Sequence, residues 1–204
     1  MFRVAEQVPV PLPDLWLALG HSSPSAWLDI ETTGLSPRTS HVTLVGYILP
    51  AVRGRKLVQM FADAPEEEAQ VLRVAFKDIG RATTVITFNG RRFDLPYLQH
   101  RSVACGVQMP MLRLRDLLDD AIAWDPARRV VPDHRLQTLM RYFGLDRQDE
   151  HMGRDMVAAY RRWLERHLQE DRQCILDHNA DDLLQLPELT ARLMRPGNDV
   201  RQPG

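Results

Sequence analysis

The chain's 204 residues include 26 Lys and Arg and 27 Asp and Glu, for a formal net charge of −1, and 44% are hydrophobic. This globular makeup excludes a disordered, collagen-like or coiled-coil chain and lacks the basic excess common among nucleic-acid binders. The longest apolar stretch, residues 42–52, is broken by Thr43, Gly46 and Pro50, far short of the roughly 20 residues of a membrane-spanning helix; with no secretory signal in MFRVAEQVPVPLPDLW, the expectation is a cytoplasmic protein without a membrane partner.

In chain order, VPVPLP over residues 8–13 is extended, and Asp14 caps a short helix ending at Gly20. Three strands are predicted at 27–31, 41–49 and 56–61. Turn formers separate them, first Gly34, Ser36 and Pro37 and then Pro50 and Gly54, so an antiparallel meander is the economical reading. A helix follows over 65–79, then a buried-type strand at 85–88, a turn at Asn89-Gly90 and a helix over 94–104. A further strand is predicted at 111–114. From Asp133 onward the apolar spacing is helical, with segments carrying Leu136 to Phe143, then 156–168 and 174–194. Strands, then β-α-β, then helices describe an α/β fold with a mixed sheet. The division is an N-terminal extension with a short helix (1–24), one domain (25–194) and a flexible tail (195–204). Cys105 and Cys174 match no metal or redox spacing and read as free thiols.

Four acids stand out. Asp29 and Glu31 in WLDIETTGLSP lie two apart on a strand, so both leave the same face, roughly 7 Å apart. A divalent cation between them relieves their repulsion; a solvent-facing strand would tolerate the pair without one. Asp94 before Leu95 and Pro96 also reads as an N-terminal helix cap, since Pro is welcome in the first turn and the dipole favours a carboxylate. In the last helix, at about 100° per residue, Ile175, His178, Asp182, Leu186, Leu189 and Leu193 share one stripe, and Asp177, Asp181 and Glu188 another. Asp182 therefore interrupts an apolar face, where an ionised carboxylate is costly unless paired or metal-bound. His178 on the same stripe fits a general base and a hydrogen-bonded core histidine equally.

The order LDIETTGL, FNGRRFDLPYL, HNADDLLQL resembles the DEDD superfamily of 3'-to-5' exonucleases on the ribonuclease H-like fold. The nearest likeness is to the YprB-type group, in which RLQTL (Arg135 to Leu139), a GRD-like segment (Gly153 to Asp155) and HN-x-DD-L (His178 to Leu183) recur. The resemblance spans about residues 25–194. It implies an α/β ribonuclease H-like fold whose mixed central sheet has its first three strands as an antiparallel meander, with flanking helices. It also implies that Asp29, Glu31, Asp94 and Asp182 bind two divalent cations, Mg²⁺ or Mn²⁺, and that His178 accepts the proton of the attacking water. The histidine stands four residues before the last Asp, whereas the better-known subtypes have Tyr at four or His at five.

The implied activity is a metal-dependent exonuclease that releases 5'-mononucleotides from a single-stranded 3' end of DNA or RNA. Thr32 and Thr33 are then expected at the terminal nucleotide, and Asn89, Arg91 and Arg92 at a backbone phosphate; turn chemistry and solvated charge account for the five as well. Arg128, Arg129 and Arg135 form a basic cluster suited to steering a strand, with Trp124 as a stacking surface. Two other readings are a non-catalytic nucleic-acid-binding or protein-interaction module on the same fold and a structure-selective endonuclease.

Overall fold

Six strands form one mixed sheet in the order β1-β4-β3-β2-β5-β6 in the computed structural model, which describes residues 1–8, 25–51, 54–145 and 153–194. The strands are β1 (Phe2–Val8), β2 (Ser25–Thr32), β3 (Val42–Pro50), β4 (Arg55–Phe61), β5 (Thr84–Thr87) and β6 (Arg113–Asp116). β2, β3 and β4 are the antiparallel meander that the Pro and Gly breaks predict. β5 joins β2 in parallel and β6 joins β5 in parallel, each after a helical crossover. Together with the helices on both faces, this is the ribonuclease H-like α/β fold.

Two strands depart from the sequence expectation. Residues 2–8, assigned above to an extension, form β1 and pair antiparallel with the outer edge of β4, Phe2 opposite Phe61. The strand predicted at 111–114 is Arg113–Asp116, because its register follows β5, with Thr87 opposite Asp116. The helix predicted within 14–19 and the tail beyond 194 lie outside the described residues.

The helices divide by face. α1 (Glu68–Ile79) and α2 (Asp94–Ala104) cover one side of the sheet. Their Val71, Leu72, Phe76 and Leu98 pack with the alternate strand residues Ala26, Leu28, Ile30, Val45, Tyr47, Val58 and Met60. The other side carries α3 (Leu117–Trp124), α4 (Leu136–Tyr142), α5 (Gly153–Arg166) and α6 (Gln169–Met194). There Leu183, Leu186 and Leu189 of α6 pack on Trp27, Ile48 and Leu57, while Tyr160 and Trp163 of α5 meet Leu44 and Phe61. Each such buried side chain contributes about 1.5–3 kcal/mol of transfer free energy. The 26-residue α6 thus lies back across the strands and is pinned at its far end, where Trp27 Nε1 donates to Thr190 Oγ1 at 3.0 Å. Among the described residues no helix is long and apolar enough to cross a membrane.

Candidate active site

Because side chains alternate along β2, Ala26, Leu28 and Ile30 enter the α1/α2 core, and Trp27, Asp29 and Glu31 face α6. At the end of β2 the pairing with β3 slips between Glu31 and Thr32, and the chain leaves the sheet. The loop that follows is closed on itself: Thr32 Oγ1 donates to the Gly34 carbonyl at 3.0 Å, and the His41 N–H donates to Thr33 Oγ1 at 2.9 Å. Tyr97 on α2 donates to the same Gly34 carbonyl at 3.0 Å, tying the loop to the helix that Asp94 begins.

Here an open cavity of about 570 Å³ is lined by Asp29, Glu31, Asp94, His178 and Asp182. Strand, helix start and last helix supply them, across more than a hundred residues of chain. Asp181 is not among the lining residues, as the helical periodicity separates it from Asp182. His178 is buried, with Nε2 at 3.7 Å from Glu31 Oε1. The Asp29 carboxylate accepts from Asn179 Nδ2 at 2.7 Å.

Asp94 is the first helical residue of α2, one past the capping position, which Phe93 holds without a side-chain cap. It is 4% exposed. Burial pushes its carboxyl up to about 7, and the nearby Asp116 carboxylate pushes the same way. Backbone N–H groups of Asp94 and Ile30 pull against that shift.

The turn before Asp94 is built by Asp116 at the end of β6. Its Oδ1 accepts from the backbone N–H of Asn89 at 2.7 Å and of Leu118 at 3.0 Å, and its Oδ2 from that of Arg91 at 2.9 Å. Asn89 adopts a left-handed φ of 63°, a conformation that Asn tolerates better than most side chains. Gly90 follows because a Cβ there would sit 2.3 Å from Thr87 Oγ1.

Among the proposed substrate contacts, Thr32 and Asn89 line the cavity, whereas Thr33, Arg91 and Arg92 are not among its lining residues. Thr33 instead closes its turn, and exposed Arg91 pairs with Asp119 at 3.0 Å. Of the basic cluster only Arg135 reaches the cavity wall. Trp124 packs against Tyr142 and Phe143, ring centroids 5.4 and 5.2 Å apart, instead of offering a face to the cavity. Sequence reasoning missed Leu35 and Phe93, which also line the cavity; Leu35 is 86% exposed at its mouth. The only signal for Leu35 was an apolar residue in a polar turn.

Among the described residues no three His, Cys, Asp or Glu side chains stand at metal-ligating separation. The donor set nonetheless suits a hard dication, since four carboxylates share one cavity and one of them is desolvated. The present positions have separate causes: Asp29 is held by Asn179, Glu31 lies beside His178, and Asp94 is buried near Asp116.

A sequence model of the RNase H superfamily matches residues 26–194. The chain belongs to the RNase H superfamily. Among solved structures, this RNase H domain is similar to the family B DNA polymerase of the hyperthermophilic archaeon Pyrobaculum calidifontis, with a TM-score of 0.64 and 18% identity over 84% of this chain and 24% of that one. It is also similar to Exonuclease I of E. coli in a zinc-bound complex with single-stranded DNA (TM-score 0.48, 18% identity, 81% of this chain and 45% of that one). A third likeness is to Exonuclease I with a dA16 oligonucleotide (TM-score 0.49, 16% identity, 81% and 46%). The RNase H domain thus spans less than half the length of each of these proteins. No curated protein sequence matches it.

Proposed function

We propose that this domain is a DEDD-type, metal-dependent nuclease, nearest in its motifs to the YprB-type group, that acts as a 3'-to-5' exonuclease and releases 5'-mononucleotides. One observation carries the reading: Asp29, Glu31, Asp94, His178 and Asp182 line a single open cavity at the end of β2. Assembling four carboxylates there has no structural benefit, because like charges repel and burial raises the cost. Asp29, Glu31, Asp94 and Asp182 are the residues that would hold two divalent cations, Mg²⁺ or Mn²⁺. Such a pair, when bound, activates a water and stabilises the leaving 3' oxygen.

The remaining roles fall to the chain itself. His178 is the general base, and its position beside Glu31 stabilises the imidazolium that results from taking up the water's proton. Thr32 and Asn89 on the cavity wall contact the terminal nucleotide, and exposed Leu35 gives its base an apolar surface at the mouth. Arg135 meets the backbone phosphate from α4's side, a role the sequence reading gave to Asn89, Arg91 and Arg92.

The test is the purified domain with Mg²⁺ or Mn²⁺ on 5'-labelled single-stranded DNA and RNA, read for direction and product length. A ladder shortening from the 3' end is expected, with 5'-mononucleotides released. Cleavage of circular single strands would move the assignment to an endonuclease, and tight binding without cleavage to a binding module.

A further inference from the structure

Three residues stand in a row across neighbouring strands. Asp29 on β2 is opposite Gly46 on β3, which is opposite Gln59 on β4. All three positions face α6, and Asn179 of α6, fully buried, lies over the row. Its Nδ2 donates to Asp29 Oδ2 at 2.7 Å, and its Oδ1 accepts from Gln59 Nε2 at 3.0 Å. Gln59 Nε2 also donates to the Leu176 carbonyl at 2.7 Å. Gly46 leaves the room: a Cβ there would come within 1.9 Å of Asn179 Oδ1.

The direction of these bonds is not free. A backbone carbonyl only accepts, so the end of Gln59 that faces Leu176 is its NH₂. That NH₂ then meets an oxygen on Asn179, which turns the Asn179 NH₂ toward the carboxylate. The relay is anchored one turn up the helix and ends on Asp29. Buried polar groups outside the reacting atoms orient metal-binding side chains in this way, and their loss costs about 10–100-fold in metal affinity or activity.

We propose that Asn179 and Gln59 are positioning residues: they fix the Asp29 carboxylate in the orientation the proposed metal-dependent reaction needs, a role that rests on the nuclease reading above. Gln59 acts only through Asn179.

The experiment compares wild type, Asn179→Ala, Gln59→Met and the double variant in three measurements. Calorimetric titration with Mn²⁺ gives affinity and single-stranded oligonucleotide cleavage gives kcat and KM for all four, and NMR gives hydrogen exchange of the Asn179 side-chain amide in metal-free wild type and Gln59→Met, which retain it. Asn179→Ala should weaken Mn²⁺ binding by about 10–100-fold and lower kcat by a similar factor, leaving KM within about twofold. Gln59→Met should shift both the same way by less, and speed Asn179 amide exchange by about tenfold or more. The double variant should match Asn179→Ala, because a residue that works through another adds nothing once that other is gone. Should Asn179→Ala fail to fold, Gln59→Met carries the test, since Gln59 is not a lining residue of the cavity.

A wild type that neither binds Mn²⁺ nor cleaves overturns the nuclease reading and the positioning role with it. A wild type that does both, matched by folded Asn179→Ala or Gln59→Met, overturns the positioning role alone. So does an Asn179 amide that exchanges as fast as an exposed one.

Discussion

The two faces of β2 are built from alternate residues of one strand and meet different demands. Ala26, Leu28 and Ile30 enter the apolar layer under α1 and α2. On the other face Trp27 packs under α6, but Asp29 and Glu31 end the row at an open cavity. The difference teaches that the central strand is stabilised by one face throughout its length and by the other only at its start. The far end of that second face is thereby released to carry charge.

Four changes test this division, taken from the largest expected effect. Asp29→Asn should abolish cleavage of labelled oligonucleotides while the thermal midpoint stays level or rises, because the change removes a like charge along with the proposed metal ligand. A collapse of the fold instead would show that the charged end stabilises as well. His178→Ala should lower turnover by about 10²–10⁴-fold and remove the acidic limb of the pH–rate profile. If the limb persists, His178 serves to orient Glu31, 3.7 Å away, and takes no proton.

Leu28→Ala addresses the opposite face. It should cost about 2–5 kcal/mol in denaturant unfolding and leave turnover per folded molecule unchanged. Loss of turnover at full folding would mean that the two faces are mechanically coupled.

The smallest effect is in the pH dependence of the metal-free domain. Asp94 holds its proton up to about 7 against an ordinary 3.8, so the folded state binds that proton more tightly than the unfolded chain does. Its contribution to stability is complete below the ordinary value and is lost as pH rises toward 7. Unfolding free energy should therefore decline over that window, and Asp94→Asn should flatten the decline. Equal slopes in both proteins would place the ionised form of Asp94 in the folded state throughout.

Much of this was legible because it depends on short-range periodicity. Two-residue alternation put Asp29 and Glu31 on one face, and the 100° helical step set Asp182 apart from Asp181; in the structure Asp182 lines the cavity and Asp181 does not. Gly and Pro punctuation located the meander. What escaped depends on pairing over long distances. β1 is an edge strand whose partner begins more than forty residues later, and seven residues with a Pro-rich sequel carry little signal alone. α3 is only eight residues long and directly follows β6, and its start is capped by Asp116, whose Oδ1 accepts from the Leu118 N–H and also from the Asn89 N–H far away in sequence. The Asn179 relay was equally hidden: it exists only once the strand register sets Asp29, Gly46 and Gln59 in line.

Gly46 offers a way to sort sequences. The three acidic motifs can persist in a chain whose β3 carries a larger residue opposite the first Asp, and a search by motif alone would accept it. A valine there would keep every carboxylate and remove the seat of Asn179, because even one added carbon falls within 1.9 Å of its oxygen. Thus a glycine fifteen residues beyond Glu31, outside all three motifs, distinguishes chains able to present the first carboxylate as this one does from chains that retain only its letter.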